Sequence, residues 1–203
     1  MSFTHACFIS YVRPKHDLNT GFIGQLSAAL KDELEPWMDE DVYIDEEGVG
    51  PGDEHNERLA RAICESVCMI VVWSPKYERH DYCLREFQAM TRLQGERRKL
   101  LGQAAHGHNF IIPVILRGRV YLPDYIKEYV DYSDFSSFTL AETDISRNPG
   151  YLKEIRRIAE RIYERYRLFR DANLDVCTTC GDERLPPPGG VVSWAQSPQF
   201  VNR

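Results

Sequence analysis

Seven consecutive apolar residues, Val67-Cys68-Met69-Ile70-Val71-Val72-Trp73, form the longest uninterrupted apolar run of the chain. That is far short of the roughly 20 residues a membrane-spanning helix needs, so the run belongs inside a protein core. A run without polar alternation reads as a strand covered on both faces, as central strands of parallel sheets are. The segments flanking it carry apolar residues at helical spacing: Leu59, Ile63 and Val67 ahead of it, with Ala60 and Ala62 between them, and Cys83, Leu84, Phe87 and Met90 behind it. Helix, buried strand and helix in succession imply an α/β fold.

The rest of the chain repeats the alternation. Ala6–Tyr11 reads as a buried strand, followed by the loop Val12-Arg13-Pro14-Lys15-His16-Asp17. Phe22, Ile23, Leu26, Ala29, Leu30 and Leu34 share one face of a helix that ends by Pro36. Asp41–Asp45 is a second, weaker strand, and Gly48, Gly50, Pro51 and Gly52 turn the chain into a loop before Asp53, a good N-cap. Phe110–Leu116 is a further strand, in which Pro113 predicts a bulge or a loss of pairing on one side. Tyr129–Tyr132 is a brief last strand, and Leu152, Ile155, Ile158, Ile162 and Tyr166 mark a long final helix with Lys and Arg on its other face.

This pattern predicts a flavodoxin-like, doubly wound sheet of about five parallel strands with helices on both faces. Such sheets bind ligands outside the carboxyl ends of their strands, which directs attention to the loops after Tyr11, Ile44 and Trp73. Residues 1–169 are expected to form this domain. Residues 170–203, with Cys177-x-x-Cys180-Gly181 and Pro186-Pro187-Pro188-Gly189-Gly190, read as a tail.

Charge and cysteine usage exclude several function classes. With 25 Lys+Arg against 31 Asp+Glu, a formal charge of −6, the chain lacks the basic balance of a dedicated nucleic-acid binder. The N-terminus shows no secretory pattern, and the expectation is a cytoplasmic protein with no membrane contact. Cys7, Cys64 and Cys68 sit in or beside apolar segments as reduced cysteines do, with no disulfide framework implied. Cys177 and Cys180 lack the second ligand pair of a closed zinc site and read as exposed tail thiols. The histidines show no metal-ligand spacing, so no metal is expected, and there is no nucleophile elbow, GxGxxG or P-loop.

Three boxes, in order along the chain, carry a resemblance. Phe8-Ile9-Ser10-Tyr11 resembles the opening box of Toll/interleukin-1 receptor (TIR) domains. Tyr43-Ile44-Asp45, the loop to Gly52 and Leu59–Ser66 are similar to their second strand, BB loop and second helix. Val71–Tyr77 with Tyr82-Cys83-Leu84-Arg85-Glu86-Phe87 resembles the third strand and the Ser…Trp-Cys-x-x-Glu box of catalytic members, with Tyr82 in place of the usual Trp. With no death domain or leucine-rich array in the sequence, the likeness is to stand-alone bacterial members that cleave the nicotinamide–ribose bond of NAD+ in antiviral defence.

The resemblance implies Glu86 as the catalytic carboxylate, with NAD+ as substrate and no resident cofactor. It implies substrate contacts from Ser10, Tyr11 and Arg13 after the first strand, Ile44 and Asp45 after the second, Trp73, Ser74 and Tyr77 after the third, and Tyr82 and Cys83 beside Glu86. Ser10 and Tyr11 read equally as loop and core structure, and Trp73 equally as core packing. Cys83 reads as a half-buried packing thiol, without a Cys–His signature to make it a nucleophile. Arg13, assisted by Lys15, would offset pyrophosphate charge, which Asp45, Glu46 and Glu47 would oppose if all three faced the site. The resemblance further implies self-association through loop 45–52 and a separate effector that senses the product. The rival expectation is a non-catalytic adaptor or virulence factor that docks other TIR domains through the same loop. A response-regulator receiver would want acidic residues after the first strand and a phosphorylatable Asp after the third, where Ser10-Tyr11 and Ser74-Pro75 stand.

Overall fold

The computed structural model describes residues 3–13, 17–45, 53–123, 132–138, 144–175, 180 and 184–187; of residues 17–20 and 53 it describes the backbone alone. Five parallel strands, β1 (His5–Tyr11), β2 (Asp41–Ile44), β3 (Ser66–Trp73), β4 (Ile111–Ile115) and β5 (Ser133–Asp134), form one sheet in the order β2-β1-β3-β4-β5. The order reverses at β1, which has β2 on one side and β3 on the other. Among the described residues four helices, α1 (Asp17–Leu34), α2 (Asp53–Cys64), α3 (Asp81–Leu101) and α4 (Pro149–Asp171), cover the two faces, α1 packing against α4 and α2 against α3. This is the flavodoxin-like doubly wound fold.

The apolar run of residues 67–73 is the middle strand, and all eight residues of β3 are buried. β1 runs in register beside it from Cys7↔Cys68 to Tyr11↔Val72, so the two strands deliver their ends to the same edge of the sheet. Asn148 caps α4, accepting from the Gly150 and Tyr151 backbone amides, with Pro149 in the first turn where its missing N–H costs nothing. Whether the Asp53 side chain caps α2 lies outside the described residues, as do Lys15, residues 46–52 and Cys177.

Of the two expectations at Pro113, the loss of pairing on one side is the one found: β4 pairs in unbroken register with β3 through Val71↔Pro113, with no bulge, while on the other side the β5 pairing covers Val114 and Ile115. Proline is tolerated because the neighbouring strand does not run alongside it. Other expectations are corrected. The last strand is Ser133–Asp134 rather than Tyr129–Tyr132, of which Tyr132 is irregular and the rest lies outside the described residues. On α4 two arginines of the expected basic face are buried: Arg165 donates to the carbonyls of Asn109 and Arg161, and Arg161 is itself covered.

The largest correction concerns the cysteines. Cys64 is bonded to Cys180 across 116 residues, so neither is a free thiol, and Cys180 is 3% exposed. The chain beyond α4 returns over α2 and α3, where Leu185 is buried and Arg184 pairs with Glu57 at 3.4 Å. Spacing along the chain could not reveal this, because it depends on the path of the returning segment. Cys7, Cys68 and Cys83 are free and buried.

Candidate active site

The carboxyl ends of β1 and β2 and the first turn of α3 meet at the point where the strand order reverses, and a cleft opens there. Phe8, Ile9, Tyr11 and Arg13 line it from β1, Asp45 from the end of β2, His55 and Leu59 from α2, and His80, Tyr82, Cys83 and Glu86 from α3 and the residue before it. Tyr82 and Glu86 stand one helical turn apart, so both face the cleft.

Glu86 is 8% exposed, unlike an ordinary solvated helix glutamate. Burial pushes its carboxyl up to about 7; the hydrogen bond from Ser10 Oγ to Oε2, at 2.6 Å, opposes this, Asp45 raises it further, and Arg13 and Arg85 lower it. Behind Ser10, its Oγ lies 2.6 Å from Tyr77 Oη, which in turn donates to the Cys83 carbonyl at 3.1 Å. Tyr77 is fully buried in a 3-10 turn, Tyr77–Arg79, that leads from β3 into α3.

Asp45 is the electrostatic hub. Its carboxylate meets the Arg13 guanidinium at 3.3 Å and that of Arg58 at 3.3 Å, and Arg13 also donates to its backbone carbonyl. Asp45 does face the cleft, but two cations offset its charge. His55 joins the cluster: Arg58 is purely a donor, so His55 Nδ1, 3.2 Å away, accepts, and in the neutral ring the proton sits on Nε2. Nε2 lies 3.8 Å from Asp45 Oδ2, beyond hydrogen-bond distance, and is buried without a hydrogen-bond partner among the described residues. That N–H is a donor for an acceptor oxygen entering the cleft.

Tyr82 carries the Arg85 guanidinium 4.9 Å from its ring centroid, and Arg85 also donates to Asn56 Oδ1 and to the Pro186 carbonyl of the returning segment. The wall of the cleft is thereby braced from behind. Cys83 Sγ lies 3.4 Å from Tyr11 O and 3.4 Å from His80 Nδ1. A histidine therefore does stand beside it, contrary to expectation, yet burial and then the Glu86 charge push the thiol well up, which keeps it protonated and a poor nucleophile.

Of the residues expected at the site, Tyr11, Arg13, Asp45, Tyr82, Cys83 and Glu86 line the cleft. Ser10 and Tyr77 stand behind Glu86. Ile44, half-buried and paired with Ile9, precedes Asp45 and is not among the lining residues. Trp73 is 1% exposed and belongs to the core, and Ser74 forms the turn that receives the Tyr77 amide; neither lines the cleft. Sequence reasoning missed His55, Arg58 and His80, because it tested histidines for metal spacing and not for contact with Asp45 or Cys83. The one visible trace is His55 and Arg58 on adjacent turns of α2.

No curated protein matches the chain. A family model described as the TIR domain matches residues 7–145, which run from within β1 through β5 and contain every residue that lines the cleft. The chain therefore belongs to the TIR domain family.

Proposed function

We propose that this protein cleaves the nicotinamide–ribose bond of NAD+. The observation that carries the reading is Glu86, a buried carboxyl at the strand-order reversal, hydrogen-bonded by Ser10 and flanked by cations. Nicotinamide leaves a ribosyl pyridinium as a neutral molecule, so its departure needs no proton from an acid. Positive charge develops on the ribose ring instead, and an ionised Glu86 stabilises it in a site where water is scarce. Water adding to the ribose carbon completes hydrolysis: NAD+ and water give nicotinamide, ADP-ribose and a proton. An adenine nitrogen reaching the same carbon first gives a cyclic ADP-ribose.

The side chains divide the remaining tasks. Tyr11 and Tyr82 offer aromatic walls to the flat rings of the substrate. Arg13 and Arg58, shared with Asp45, face the pyrophosphate, and the His55 Nε2–H donates to a ribose or phosphate oxygen. NAD+ is the substrate and the site takes no resident cofactor. Membership of the TIR family supports self-association, and a second copy docked through loop 45–52 completes the site. The product serves antiviral defence, by depleting NAD+ or as a signal to a separate effector.

The test is incubation of concentrated protein with NAD+, with products separated by mass spectrometry. Nicotinamide release is expected from the native protein, and Glu86→Gln is expected to reduce it by about 10²–10³-fold or more while melting as a folded protein. Native protein that releases no nicotinamide, even crowded or on a scaffold, contradicts the reading, as does a Glu86→Gln variant that retains turnover.

A further inference from the structure

The contacts behind Glu86 do not balance in protons. Three close approaches run in a line: Glu86 Oε2 to Ser10 Oγ at 2.6 Å, Ser10 Oγ to Tyr77 Oη at 2.6 Å, and Tyr77 Oη to the Cys83 carbonyl at 3.1 Å. Each needs one proton, and the two hydroxyls own one apiece. When Glu86 is ionised, Ser10 donates to it, and the single Tyr77 proton must choose between Ser10 Oγ and the Cys83 carbonyl. One contact of the three is then a meeting of lone pairs, at a place where Ser10 and Tyr77 are both buried. When Glu86 is neutral, its own proton completes the set: Glu86 donates to Ser10, Ser10 to Tyr77, and Tyr77 to the carbonyl. Burial keeps the phenol of Tyr77 well above its ordinary range, so Tyr77 does not lose its proton in either state.

We infer that Ser10 and Tyr77 act as positioning residues through Glu86, forming a proton chain to the Cys83 carbonyl that has a proton for each of these three contacts when Glu86 is neutral and is one short when it ionises, and that sets the state in which it meets the substrate. The inference rests on Glu86 as the catalytic carboxylate for its bearing on turnover, while the chain itself is a property of the protein alone. It assigns Ser10 and Tyr77 a role other than touching substrate. The two residues oppose each other. Ser10 gives ionised Glu86 a charge-assisted hydrogen bond and so favours the charged form. Tyr77 supplies the contact that goes unbridged on ionisation and so favours the neutral form.

Other groups face Glu86 from each element around it. Arg13 comes from the end of β1, Asp45 from β2 and His55 from α2; His80, Tyr82 and Cys83 come from α3 and the residue before it, and Arg85 is its own neighbour on α3. Of these, the Tyr77 hydroxyl touches Cys83, through the carbonyl to which it donates, so Tyr77→Phe is read together with Ser10→Ala.

The experiment is a carbon-13 NMR titration of the Glu86 side-chain carboxyl, assigned by the signal missing from Glu86→Gln, in native protein, Tyr77→Phe and Ser10→Ala. The native carboxyl is expected to titrate near about 7. Tyr77→Phe is expected to lower its midpoint and Ser10→Ala to raise it, each by about one unit, the size of one ordinary hydrogen bond. Should Tyr77→Phe fail to fold, the Ser10→Ala shift still tests the chain. An unmoved midpoint, or shifts of the same sign in both variants, overturns the inference. Because the titration needs no NAD+, opposed shifts in a protein that releases no nicotinamide uphold the chain and overturn the proposed reaction. Where turnover is present, the acidic limb of its pH profile is expected to move with the midpoints.

Discussion

Glu86 makes a second, thermodynamic demand on the protein. Its carboxyl sits near 4.5 in the unfolded chain and is pushed up to about 7 in the fold, first by burial. Below about 4.5 both states hold the proton and the group contributes nothing to pH dependence. Between the two values the folded protein holds a proton the unfolded chain has released, so stability falls as pH rises through this window, by about 3 kcal/mol in total. Glu86→Gln, neutral throughout, escapes that loss. Urea unfolding at pH 5 and pH 8 is therefore expected to find the variant's advantage over native protein widening toward pH 8; parallel curves would mean the carboxyl is not held in this environment. The place of Glu86 was legible in the sequence because its box is local: Tyr82, Cys83 and Glu86 fall within two turns of one helix. His55 was not legible. Its role comes from Arg58 on the next turn and from Asp45 at the end of another strand, a meeting that only the folded chain creates.

Helix α3 shows how an element places a residue it does not itself constrain. Glu86 lies in its second turn, but the other end of the helix is anchored to the opposite edge of the sheet. Gln94 accepts from the Phe110 amide at the entry to β4. Arg97, 2% exposed, donates to the carbonyls of Val67 at 2.9 Å and Cys64 at 2.7 Å, with the rings of Phe3, Phe110 and Phe169 around its guanidinium. A planar fork is what reaches two carbonyls while lying against aromatic faces. Arg97→Ala removes both donations from an apolar shell and is expected to cost about 3 kcal/mol in urea unfolding, with Arg97→Lys recovering little of it. A loss of a few tenths would show that water takes over the contacts. Periodicity made the elements themselves readable, from the uniformly apolar β3 to the spaced leucines and isoleucines of α1 and α4. It failed at β5, where two residues are too few to display a period and pairing with Val114 and Ile115 alone defines the strand. It is silent at Arg97, since the apolar spacing of a helix does not say which of its basic residues the fold will close over.

At the scale of the molecule, the segment beyond α4 is tied to the helices that build the cleft. The Cys64–Cys180 bond joins it to the end of α2, the Arg184–Glu57 pair and the Arg92 contact with the Arg184 carbonyl hold its path, and the Pro186 carbonyl accepts from Arg85, whose guanidinium backs Tyr82. The covalent tie closes a loop of 116 residues, and constraining so long a loop in the unfolded chain is worth about 4–5 kcal/mol on entropic grounds. Composition pointed the other way, since nothing in the spacing of six cysteines distinguishes a bonded pair from buried thiols. A peptide map made without reductant is expected to contain the linked Cys64 and Cys180 peptides. Reductant is expected to lower the urea midpoint of native protein and to speed proteolytic cleavage between residues 171 and 187. Cys177→Ser/Cys180→Ser is expected to start at the lower midpoint and not to respond to reductant, because Cys7, Cys68 and Cys83, the free cysteines among the described residues, are buried and take no part. A native midpoint indifferent to reductant would show that the returning segment is held by Leu185 and its arginine contacts alone, and that the brace behind Tyr82 does not depend on the bond.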